Sequence, residues 1–167
     1  MRGIFIMLGI LLLSGSSALA QQLNLTDIRR DFNKGVKDEK LCKQYYTILK
    51  EEAKTTLEKG YEGAFQMFMA KHTGNPIKKM SFFNGGKKVL ESQIKADPNN
   101  AELRFIRLCI QAHIPSYLGY KEEIPKDKDF LVKNLYKIED GKTKTLLYNY
   151  LKGANIFSAD ELSLLGR

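Results

Sequence analysis

Two arginines on an otherwise apolar helix are the residues of this chain best suited to chemistry. From Ala101 to Ala112 the apolar residues Leu103, Phe105, Ile106, Leu108, Cys109, Ile110 and Ala112 occupy almost every direction around the axis, which predicts a helix buried on most sides. At about 3.6 residues per turn, Asn100, Arg104, Arg107 and Gln111 fall within about 60° of one another. Such a stripe could hold a carboxylate, for instance a protein C-terminus, through paired charge-assisted hydrogen bonds. The same arginines could instead pair inside the fold with Asp127, Asp129 or Glu62, and the high cost of an unpaired buried charge favours this second reading. Glu102 lies on the opposite side of the helix and is not their built-in partner.

The inventory for catalysis is thin. His72 and His113 are the two histidines, 41 residues apart, and neither has an acidic or thiol neighbour at ligand spacing. No metalloprotease, redox, nucleophile-elbow or dinucleotide fingerprint occurs. Gly85-Gly86-Lys87-Lys88 lacks the earlier glycine and the following Ser or Thr of a phosphate loop. Ser92-Gln93-Ile94-Lys95 matches S-x-x-K without the companion elements of serine acyl-transfer enzymes. The sequence implies no cofactor and no metal; an enzyme, if present, would be a hydrolase without a known motif, using His72, Glu102 or an arginine.

Cys42 and Cys109 each sit among apolar residues. They could form a disulfide only with their α-carbons within about 7 Å. Two buried thiols, packed as small hydrophobes, are the favoured alternative.

The N-terminus indicates the compartment. Arg2 precedes an apolar run from Ile4 to Leu13, and Ser14 to Ala20 is small and polar, closing with Ala18-Leu19-Ala20. That order is a secretory signal peptide, residues 1–20, with cleavage after Ala20. The run is about half of the ~20 residues a transmembrane helix needs, so the mature chain is expected to be an exported periplasmic or secreted protein without a membrane-spanning helix. Residues 21–167 suit one α-helical domain with one core. Removing one arginine and no acid lowers the formal charge from +8 to +7. The lysines are scattered, without an arginine-rich or aromatic-interleaved cluster; together with export this argues against nucleic acid and for solvated helix faces.

Helical spacing recurs along the rest of the chain. Thr26 is read as the cap of a first helix through Ile28, Phe32 and Val36, and Asp38 as the start of a second through Leu41, Cys42, Tyr45, Tyr46 and Leu49. Tyr61, Ala64, Phe65, Phe68 and Met69 give a third, from Gly60 to Gly74, with one wide apolar face. A fourth runs from Ile77 to Ala96 across Gly85-Gly86, a glycine pair that points to close approach of a neighbouring helix. After the apolar helix, Ser116 to Pro125 reads as the longest loop, Asp127 or Asp129 as the next helix start, Gly141 as its end, and Ser158 as the start of a last amphipathic turn. No run alternates as a strand does, so the expected fold is all-α.

The order of helix, Asp97-Pro98-Asn99-Asn100, helix resembles the junction between tetratricopeptide repeats. At that family's spacing Gly74 and Gly86 fall at small positions and Leu90 at a large one. The likeness covers Lys71 to Gln111, about one 34-residue period. It implies antiparallel helix pairs in a tetratricopeptide-like array, with the Asn100–Gln111 helix lining a groove. The chain is also similar to a group of small exported bacterial proteins without assigned function, through Gly60-Tyr61-Glu62-Gly63-Ala64, Ala70-Lys71-His72 with Asn75-Pro76, Asn100 to Gln111, Leu118-Gly119-Tyr120 and Asp127-Lys128. That likeness implies export and helices and carries no activity. The expected function is therefore a binding or scaffold module of the cell envelope, whose partner is a protein or peptide bearing an acidic or carboxylate group.

Overall fold

A computed structural model describes residues 23–166; the expected export signal, residues 1–20, lies outside them. Among the described residues the chain forms eight α-helices, α1 (Leu25–Asp31), α2 (Glu39–Glu52), α3 (Thr56–Met69), α4 (Pro76–Ala96), α5 (Ala101–His113), α6 (Ile124–Asn134), α7 (Gly141–Gly153) and α8 (Ala159–Leu165), and no strand. The all-α expectation holds.

Local chemistry explains most helix ends. Asp38, Asn75, Asn100, Asp140 and Ser158 each accept hydrogen bonds from backbone N–H groups of the following turn, filling donors that a helix cannot satisfy itself. Five expected boundaries move. The first helix is capped by Asn24, whose Oδ1 accepts from Thr26 N at 2.9 Å, and it ends at Asp31 in a 3-10 turn, Phe32–Lys34, short of Val36. α3 begins four residues before Gly60, because Thr55 and Glu58 form a reciprocal capping box. α6 begins at Ile124, since Pro125 is tolerated in a first turn; Asp127 is inside the helix. Gly141 opens α7 behind its cap Asp140, whereas α6 ends at Asn134 and passes into the 3-10 turn Leu135–Lys137.

The core is aromatic. Phe32, fully buried, brings its ring within 5.2–6.5 Å of five others: Tyr61, Phe65 and Phe68 of α3, Phe105 of α5 and Tyr150 of α7. One residue after α1 thus joins three helices. Edge and tilted ring pairs of this kind contribute about 0.5–1.5 kcal/mol each beyond area burial.

α3 and α4 cross at glycine, as the Gly85-Gly86 pair suggested. A β-carbon on Gly63 would meet the Gly86 carbonyl at 2.7 Å, and one on Gly86 would meet the Gly63 carbonyl and, at 2.8 Å, the Met67 nitrogen. These neighbours are backbone and cannot yield as a flexible side chain can. Gly85 is different, since its added carbon would meet only the Gln66 side chain at 2.5 Å.

Gly86→Ala is therefore expected to lower unfolding free energy by about 1–3 kcal/mol. Gly153→Ala, at a position with open space around it, should stay within about 0.5 kcal/mol of the parent or exceed it. Urea denaturation of the two variants side by side checks the difference.

Candidate functional site

The four residues of the α5 stripe meet different fates. Asn100 caps its own helix, accepting from Glu102 N and Leu103 N at 3.1 Å each while its amide donates to Asp97 at 3.0 Å. Arg104 donates to Asp127 Oδ1 at 3.1 Å and to the Pro98 carbonyl at 3.1 and 3.3 Å, with its guanidinium over the Phe130 ring. Arg107 is 3 % exposed. It grips Asp127 with two hydrogen bonds of 2.7 and 2.8 Å and donates to Glu91 Oε2 at 2.9 Å. Asp127 itself is fully buried. Burial opposes the charge on Arg107, but the hydrogen bonds and charge of Asp127 outweigh it and raise the guanidinium pKa. Both arginines are thus engaged inside the fold, on one of the acids named as alternatives to a ligand.

Glu91 extends this cluster to the following loop. Its other oxygen accepts the Tyr120 hydroxyl, and burial, then that hydrogen bond, pushes the phenol pKa up. Gly119 adopts φ 56°, the left-handed conformation that favours glycine, and so turns the chain to deliver Tyr120. Sequence reasoning missed both Glu91 and Tyr120. The available signal was an acid one face away from an apolar stripe in α4, opposite a helix with two arginines.

A second charge cluster occupies the other side of α5. Glu102, 6 % exposed, accepts from Arg29 Nε and Nη2 at 2.6 and 2.9 Å and from the Tyr61 hydroxyl at 2.6 Å. The Glu102 hydrogen bond raises the Arg29 pKa, and burial raises that of Tyr61. Tyr150 of α7 shares its hydroxyl proton between the carbonyls of Arg29 and Arg30 at the end of α1.

Gln111 has neither charge nor partner. It is fully buried, and its amide nitrogen and oxygen find no hydrogen bond among the described residues. Leaving a buried polar group unpaired costs about 1–3 kcal/mol.

The other sequence candidates are structural in their contacts. Cys42 and Cys109 are free, buried thiols, and burial pushes each up to about 12, far from a nucleophilic thiolate. His72 Nε2 lies 2.8 Å from the Gly35 carbonyl, and His113 Nδ1 lies 2.8 Å from the Cys109 carbonyl. Among the described residues no group of three or more His, Cys, Asp or Glu is arranged to hold a metal ion.

Of the stripe, Asn100 borders open space. A cleft of about 350 Å³ lies where the start of α5 meets α1, α3, the 3-10 turn after α6 and α7. Leu57, Ala101 and Ile138 supply apolar lining, and Asn99, Asn100 and Asn134 supply amides. Arg29 and Lys137 balance Glu102 and Asp140 in formal charge. Amides beside apolar surface match a peptide, whose backbone needs both donors and acceptors and whose side chains need a dry contact.

Asp127→Ala is expected to destabilise the fold by about 3–5 kcal/mol, since it removes the two-pronged partner of buried Arg107 and leaves that guanidinium with Glu91. Gln111→Leu should move the other way, by about 1 kcal/mol, removing two unpaired atoms from an apolar setting. Thermal melts read by circular dichroism separate these opposite signs. Compared with protein families, with curated proteins and with solved structures, the chain matches none.

Proposed function

We propose that this chain is a peptide- or protein-binding module of the bacterial cell envelope, built on a tetratricopeptide-like helical scaffold, with its binding site in the cleft at the start of α5. The observation that carries the reading is the lining of that cleft, three asparagines beside Leu57, Ala101 and Ile138. Arg104 and Arg107 serve this site indirectly. By fixing α5 against α4 and α6 through Asp127 and Glu91, they hold the Asp97–Asn100 turn in place, and a preorganised cleft loses less freedom on binding.

The helical scaffold is supported by the close α3–α4 pair and by the turn that ends α4 and caps α5. Export rests on the composition of residues 1–20. An acidic or carboxylate-bearing partner remains compatible with Lys137 at the cleft, while the paired guanidinium groups leave the recognition itself to amides and apolar contact.

A photoreactive benzoylphenylalanine at Lys137 or Asn99 is expected to capture a discrete partner in intact cells, and the same group at exposed Asn149 of α7 should not. Adducts of equal yield at all three positions, or none at either cleft position, would sink the proposal.

A further inference from the structure

The lysines are scattered along the chain, but in one stretch no acid accompanies them. From Gly63 to Leu90 there are five lysines, at 71, 78, 79, 87 and 88, and no aspartate or glutamate. Every residue from Gly74 to Ser81 is exposed, including Lys78 and Lys79. Within this basic segment stand two large apolar side chains that the fold does not cover, Ile77 at 81 % and Met80 at 47 % exposure. They are three residues apart, on one face of the first turns of α4.

The placement is costly for the free protein. A helix N-terminus carries partial positive charge and favours acids, yet the first turn of α4 has none and its second begins with Lys79. The nearest segment adds further cations: His72 reaches the carbonyl of Gly35, which lies between Lys34 and exposed Lys37. Lys34 is held by Asp31, and Asp38 caps α2 beside Glu39. α5 stops short of this end, because Tyr120, beyond its C-terminus, already packs on Phe83 of α4. Tyr117, in the same loop, is 84 % exposed.

We propose that the α3–α4 tip, Lys71 to Met80, docks on an anionic lipid surface. Lys71, Lys78 and Lys79 meet the headgroup phosphates, and Ile77 and Met80 enter the interface between them. Basic and apolar side chains side by side are what such a surface selects: charge gives attraction, and apolar burial gives a part that salt does not screen. No helix among the described residues is long and apolar enough to cross a membrane, so the contact is peripheral. The tip and the cleft lie at opposite ends of α4, whose 21 residues span roughly 30 Å; docking therefore leaves the cleft facing away from the bilayer. This inference does not depend on what the cleft binds.

The test is co-sedimentation of the full chain with phosphatidylcholine vesicles, with and without one-third phosphatidylglycerol, for the parent and two double variants. The apolar N-terminal run is common to all three proteins, so the difference between them reads the tip. The parent is expected to sediment more strongly with the anionic vesicles than with phosphatidylcholine alone. Lys78→Gln with Lys79→Gln should weaken that binding about thirty-fold. Ile77→Ser with Met80→Ser should weaken it about ten-fold and remove what binding survives high salt. All four substituted side chains are exposed, and unchanged circular dichroism confirms the fold. Equal sedimentation with both vesicle types, or variants that bind like the parent, overturns the proposal. Loss with the lysine variant but none with the Ile77 and Met80 variant also overturns it, because the tip is then a basic surface that attracts anions in general and inserts nothing into the lipid.

Discussion

Charge inside the core is the constraint on which the architecture depends. α5 is packed on nearly every side, yet it carries Glu102 on one flank and Arg104 and Arg107 on the other. An ion in an apolar interior is tolerable only if a counter-ion and enough hydrogen bonds arrive with it. The counter-ions come from separate elements: Arg29 from α1, Asp127 from α6 and Glu91 from α4. Each pair obliges a distant part of the chain to occupy one place against α5. The helix thus acts as an axis that sorts its neighbours by charge as well as by shape.

Apolar packing supplies the driving force but less of this selectivity. Phe32 touches rings from three helices, and such a cluster would tolerate many small rearrangements. Two features remove that freedom. At the α3–α4 crossing, Gly63 and Gly86 set backbone against backbone, so the helices meet at one depth. At α5, the two-pronged grips of Arg29 on Glu102 and Arg107 on Asp127 set rotation and register, since a planar guanidinium matches a carboxylate in few geometries. A buried, unpartnered Gln111 on the same helix shows that this arrangement leaves one position imperfect.

Cleft and tip both follow from this frame. The Asp97–Asn100 turn is held by the Arg104 contact with the Pro98 carbonyl and by the Asn100 cap, which fixes one wall of the cleft. α4 is longer than the neighbours packed along it, so its first turns project and leave Ile77 and Met80 without cover. Rigidity at one end of α4 and exposure at the other come from one helix whose middle is clamped.

Sequence alone determined the elements that depend on near neighbours. Helical periodicity located most helices, Asp38 and Ser158 marked two starts, and the glycine pair announced a close crossing, because each depends on residues within a turn or two. Boundaries drifted where local signals competed, as at Thr26 against Asn24 and at Pro125, which opened a helix where a loop was expected. The stripe of Asn100, Arg104, Arg107 and Gln111 was legible as a stripe. Its division into a cap, two internal struts and an unpaired amide was decided by tertiary structure, because Asp127, Glu91 and Arg29 lie 16 to 73 residues from their partners on α5. Distance along the chain carries no information about which of many acids will be nearest in space; only the folded packing brings one of them within 3 Å and excludes the water that would otherwise make the choice unimportant.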